Sequence, residues 1–188
     1  MKRLRTRAAV FALIVFLGLV VDRATKLWAL YGLQGGNNVD IIPHMLSLTL
    51  VRNPGASFGL GSGATCVISV LAIAACTAMI VAVRKTTSLQ WTCALSLAFA
   101  GAFGNLIDRA TYAEHFLDGK VIDFINYGWS VGNVADIILA IAGVWFVALV
   151  VFEFPFKIAD ASSETTDTQE SKSSKETQLS ISDSESNK

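Results

Sequence analysis

Four long apolar runs, at 8–30, 65–83, 89–107 and 131–154, constrain this chain more than anything else in it. A helix rises about 1.5 Å per residue, so about 20 such residues cross about 30 Å of hydrocarbon. Of the 188 residues, 53% are hydrophobic and only 16% charged, more apolar sequence than a soluble domain of this length needs. No other domain fits between the runs. The expected fold is an all-α membrane protein with four transmembrane helices.

Net charge is zero, but its distribution sets an orientation. Lys2, Arg3, Arg5 and Arg7 precede the first run, and Arg84 and Lys85 separate the second from the third. Cytoplasmic loops are enriched in Lys and Arg, so both clusters are placed inside, as are both termini. The connections 32–62 and 108–130 then fall on the outer face. The basic start followed by an apolar run has the form of a signal peptide. Asp22, Arg23 and Lys26 stand where a small-residue cleavage site would be, so a retained first helix is expected.

In the first outer connection, Leu46, Leu48 and Leu50 alternate with Ser47, Thr49 and Arg52, which predicts a strand over 45–52 with one face against apolar surface. Asn53-Pro54-Gly55 ends it with turn chemistry. Bulky residues predict a second strand over 120–127, making a small extracytoplasmic β platform and loop, and 110–116 is expected to form a short surface helix. The third run holds Ala98, Ala100, Gly101, Ala102 and Gly104, small side chains that let helices approach closely in lipid. Residues 1–158 therefore form the membrane domain. From 159 to 188 Ser, Thr and acids dominate, too polar to offset ordering entropy, so a disordered cytoplasmic tail dispensable for chemistry is expected. Cys66, Cys76 and Cys93 lie in predicted spans without CxxC spacing and serve as small apolar side chains. His44 and His115 are isolated, loop residues rather than metal ligands.

The topology drawn from the basic clusters gathers the unusual polar residues at one face. Asp22 and Lys26 lie toward the outer end of the first span, i, i+4 and able to pair. Asn105 and Arg109 share a side of the third span, beside Asp108. Asn133 suits a helix N-terminus, where it caps backbone N–H groups. Asp136 lies about 7 Å past the start of the last run, deeper than a cap needs. A carboxylate at the bilayer centre costs about 2.5–3.5 kcal/mol on insertion scales, so it is a functional candidate by default. Asp123, thirteen residues earlier, would be an ordinary loop acid alone; together the two suggest a shared-proton pair of the kind that activates water.

Val-Val-Asp22-Arg-Ala-Thr-Lys26, Val-Arg-Asn53-Pro-Gly-Ala-Ser-Phe-Gly, Gly101-Ala-Phe-Gly104-Asn105-Leu-Ile-Asp108-Arg109, Val-Ile-Asp123-Phe-Ile and Gly-Asn133-Val-Ala-Asp136 follow one another in order. Together they resemble lipoprotein signal peptidase (signal peptidase II), an intramembrane aspartic endopeptidase family, over about 7–154. Each motif is weak alone and the five in series are specific. The resemblance implies a bacterial inner-membrane enzyme that removes signal peptides from diacylglyceryl-modified prolipoproteins, cutting before the lipidated cysteine. It makes Asp123 and Asp136 the catalytic pair, lines the substrate pocket with Asn53, Asn105, Arg109 and Asn133, and has Asp22 and Lys26 support it. It requires no metal or organic cofactor and no nucleic acid, only prolipoprotein and membrane lipid, and a monomer is expected. Many members carry Phe-Pro-x-Phe before Asn-x-Ala-Asp; this chain has Tyr127-Gly-Trp-Ser-Val-Gly, which affects local pocket shape. A small ion transporter would also carry intramembrane charges, but near the midplane and with internal repeats, neither of which is present here. A noncatalytic four-helix scaffold is the third possibility.

Overall fold

The computed structural model describes residues 2–55 and 65–157. The expected tail at 159–188 and residues 56–59 of the turn motif lie outside the described residues. Among the described residues, four long helices and four short strands follow in the order α1 (Lys2–Gly32), β1 (Val39–Ile42), β2 (Leu46–Asn53), α2 (Thr65–Lys85), α3 (Leu89–Thr111), β3 (Val121–Asn126), β4 (Val131–Gly132) and α4 (Val134–Val151).

Among the described residues, three helices are long and apolar enough to cross a membrane, namely Leu4–Gly32 within α1, then α2 and α4. The third run folds as α3, but Thr92, Ser96, Asn105, Asp108 and Arg109 make it more polar, and much of it is buried against α1, α2 and α4. The helices facing lipid spend their apolar length outward, whereas α3 spends much of its surface on neighbours and can carry polar groups inside. The run of small residues sets the spacing. A Cβ on Gly101 would come within 2.6 Å of the Ala135 carbonyl oxygen and 2.7 Å of Leu139 Cγ, and one on Gly104 within 2.8 Å of Asp22 Oδ2. Closeness of that order is available only to glycine, so α4 and the polar end of α1 are drawn tightly against α3.

The strands form one antiparallel sheet in the order β1-β2-β3-β4. Both expected strands are present as β2 and β3, with Val51 opposite Asp123 and Asn53 opposite Val121. The alternating burial expected of β2 is absent: all its residues are half-buried except exposed Arg52. Beneath the sheet, Phe124 packs with Ala29 and Leu33 at the end of α1, and Trp28 meets Phe124 edge-on at 6.3 Å. That apolar contact seats β3, and with it Asp123, on the helices.

Two expectations are corrected. No helix forms over 110–116: α3 ends at Thr111, and Asp118 takes the N–H groups of Glu114 and His115, both at 2.9 Å, while Leu117 adopts φ 53. Side-chain capping of those amides holds a turn where helix would have needed them. The last run does not begin as helix at Val131 either. Val131 and Gly132 pair with Asn126 and Ile125, and the helix starts only after Asn133.

Candidate active site

Asp123 sits mid-strand in β3 and is 2% exposed; Ile122 and Phe124, on the opposite face of the strand, are buried too, so both faces of β3 are covered there. Asp136 is in the first turn of α4, where it forms a reciprocal cap with Asn133. The Asn133 N–H donates to Asp136 Oδ2 at 3.0 Å, and the Asp136 N–H donates to Asn133 Oδ1 at 3.2 Å. The depth inferred for Asp136 from a helix starting at Val131 is therefore corrected. It is a cap residue, and its carboxyl is aimed by the cap geometry.

The two acids line one cavity of about 260 Å³ with Asn53, Asn105, Arg109, Ala102 and Ile68. Amide groups tie them together. Asn53 Nδ2 donates to Asp123 Oδ2 at 2.7 Å, and Asn133 Nδ2 donates to Asp123 Oδ1 at 2.6 Å. Asn133 Nδ2 also reaches Asn105 Oδ1 at 3.2 Å, and Asn105 Nδ2 donates to Asp136 Oδ1 at 2.9 Å. Three neutral amides thus orient both carboxyls while adding no charge.

Behind the amides lies a buried ionic cluster. Lys26 Nζ is 3.0 Å from Asp22, 2.8 Å from Asp108 and 2.9 Å from Asn105 Oδ1. Arg23 pairs with Asp108 and Asp22 and donates to the Gly104 carbonyl. Two acids and two bases make the cluster neutral, which is how such groups survive burial. Its outputs go to both halves of the site. Lys26 occupies the Asn105 carbonyl and so turns the Asn105 amide toward Asp136, and Asp108 accepts the Ile122 N–H at 3.3 Å, next to Asp123 in β3.

Arg109 is on the cavity wall, but much of its guanidinium is engaged. It donates to the carbonyls of Gly55 at 2.6 Å, Pro54 at 3.3 Å and Gly119 at 3.4 Å, joining the turn after β2 to the connection between α3 and β3. Burial is the main cause that pushes the Asp123 carboxyl up to about 6; its two amide donors oppose the rise and Asp136 adds to it. The Tyr127 phenol is also raised, first by burial and then by both carboxylates, so it stays a neutral hydroxyl beside them.

Each residue singled out from the sequence therefore has a place: Asp123, Asp136, Asn53, Asn105, Arg109 and Asn133 around the cavity or its amide chain, Asp22 and Lys26 behind it. Sequence reasoning missed Arg23 and Tyr127. Arg23 carried a signal, since a third charge within an apolar run needs a partner.

A model of signal peptidase (SPase) II matches residues 14–152. The chain belongs to the signal peptidase II family. A lipoprotein signal peptidase of Bifidobacterium longum is 60% identical over 158 residues, covering 84% of this chain and 87% of the relative. One from Mycobacterium leprae is 35% identical, covering 82% and 76%. A solved bacterial membrane enzyme superposes with a TM-score of 0.69 at 30% identity, covering 81% of this chain and 93% of its own. Membership makes this a protease of lipoprotein processing, and with its apolar helices a multi-pass membrane protein.

Proposed function

We propose that the chain is an aspartic endopeptidase that cuts diacylglyceryl-modified prolipoproteins immediately before the lipidated cysteine, with Asp123 and Asp136 as its catalytic pair. The observation that carries this is the convergence of two carboxyls, from a strand and a helix start, on one cavity joined by three amides. Two nearby carboxyls resist ionising together, so one of the pair keeps its proton to higher pH than an isolated carboxyl would. Asp123, raised to about 6 by burial, is assigned that proton. Asp136 takes a proton from a water held between them, and the water oxygen attacks the scissile carbonyl. Asp123 donates to the developing oxyanion. As the tetrahedral intermediate collapses, the C–N bond breaks and the leaving amine takes a proton from the pair.

Asn53, Asn105 and Asn133 hold the acids in register, and Arg109 holds the outer connections as the pocket rim. Asp22 and Lys26 support Asn105 from behind. In this reading α3 completes a four-helix transmembrane set, with the termini cytoplasmic and the cavity near the extracytoplasmic face of a bacterial inner membrane. The enzyme acts as a monomer with membrane lipid as its other partner. The basic clusters at both ends of the α1–α2 unit support that orientation.

The test is in-vitro processing of a diacylglyceryl-modified precursor by Asp123→Asn and Asp136→Asn chains that insert normally. Each is expected to leave the precursor uncut, a loss of at least about a thousandfold for a group acting in general acid–base chemistry. Cleavage retained by either purified variant removes that residue from the pair.

A further inference from the structure

A second groove, of about 410 Å³, opens from Asp136 along a different flank of α4. Tyr127, Trp129 and Val131 form one wall, and Ile137, Ala140 and Ile141 the other. Tyr127 and Trp129 stack with ring centres 5.9 Å apart, and Trp129 is 71% exposed. Below the groove, exposed Ile141, Val144 and Val147 continue the same apolar face down the membrane-crossing helix. One end therefore meets Asp136 and the other leads onto exposed apolar helix surface.

We infer that this groove takes the acyl chains of the substrate's diacylglyceryl group, with Trp129 setting the preference for chain length; this rests on the function proposed above. Three observations select that occupant. The lipidated cysteine adjoins the scissile bond, so its chains must begin beside the acids, as the groove does. Beyond Asp136 the polar side-chain groups along the groove are the Tyr127 and Ser130 hydroxyls and the Trp129 indole N–H, and β4 contributes an edge of two residues. A peptide lying there would leave backbone groups unsatisfied, whereas an acyl chain has none to satisfy. The first cavity adds Asn53, Asn105 and Arg109 to a lining that is otherwise largely apolar, and those polar groups suit the peptide limb.

The experiment compares two lipopeptides of identical sequence, one with a dipalmitoyl and one with a dibutyryl glyceryl group, on the full chain in lipid. For Trp129→Ala, KM for the dipalmitoyl substrate is expected to rise roughly tenfold at unchanged kcat, through loss of apolar contact. The dibutyryl substrate is expected to be cleaved as before. Trp129→Phe is expected to restore the preference, and Ala140→Phe, which fills the groove floor, to abolish it. Equal losses on both substrates, or losses that follow peptide side chains rather than acyl length, overturn the inference. Should Trp129→Ala fail to fold, Ala140→Phe decides alone by the same criterion. Failure of the underlying reading looks different, because the unmutated chain would then cleave neither substrate.

Discussion

Asn53→Ala is expected to move the alkaline limb of the pH–rate profile upward. Asn53 Nδ2 donates to Asp123 Oδ2 at 2.7 Å, one of two amide donors on that carboxyl. Donors to a carboxylate favour its ionised form, and burial opposes them strongly enough to leave Asp123 at about 6. A hydrogen bond to a charged group contributes about 1.5–3 kcal/mol, and about 1.4 kcal/mol is one pKa unit. Water entering the vacated space recovers part of that, so the surviving shift is about one unit. Its sign is upward, because only the ionised form loses a partner. In the proposed mechanism Asp123 delivers the proton, and turnover falls where that proton is lost, so the variant's limb rises toward neutrality. Its height falls as well, since Asn53 Oδ1 also accepts the Gly55 N–H at 2.9 Å. The position of the limb is therefore the informative quantity. The assay is kcat/KM on a fluorogenic lipopeptide from acid to mildly alkaline pH. A limb that stays fixed, or moves to lower pH, refutes Asp123 as proton carrier.

Asp123 also links fold stability to pH. Its folded pKa, about 6, exceeds the ordinary 3.8, so the folded state binds the proton more tightly and stability falls as pH rises between those values. Thermal melts in detergent are expected to show that decline in the parent chain and to lose it in Asp123→Asn. Lys26→Met leaves Asp22 and Asp108 with Arg23 as their remaining charge partner, and breaking a buried pair costs about 3–5 kcal/mol, which denaturation of the purified variant measures. Gly101→Ala forces α4 from α3 at the Ala135 carbonyl, with overpacking costs of about 1–3 kcal/mol and a fall in kcat, read by melting and by turnover on the lipopeptide.

Much of the site was legible because charge is scarce in an apolar chain. Each of Asp22, Lys26, Asp108, Arg109 and Asp136 stood out as a cost in lipid that demanded a partner, and helical spacing paired Asp22 with Lys26 correctly. What escaped was tertiary in origin. The link from Lys26 through Asn105 to Asp136 crosses three helices, and no local pattern encodes it. The start of α4 was misplaced because Val131 and Gly132 are as apolar as the helix that follows, and only pairing with β3 holds them extended. The helix expected over 110–116 lost to Asp118, whose carboxylate captured the amides that a helix would have used. The polarity of α3 was visible, but that it is a largely enclosed helix follows from glycine contacts that appear only on assembly.

The reciprocal bonding of Asn133 with Asp136 means that a reacting group is also a fastener at the tip of a membrane helix. Whenever Asp136 picks up a proton, the Asn133 backbone N–H loses the anionic acceptor it was gripping, and the end of the rod is slackened for as long as the proton stays. Chemistry at the bond being cut is thereby felt mechanically by α4, the same rod along which the acyl chains are inferred to lie. Loosening of that grip late in the cycle would favour departure of the trimmed lipoprotein over its retention.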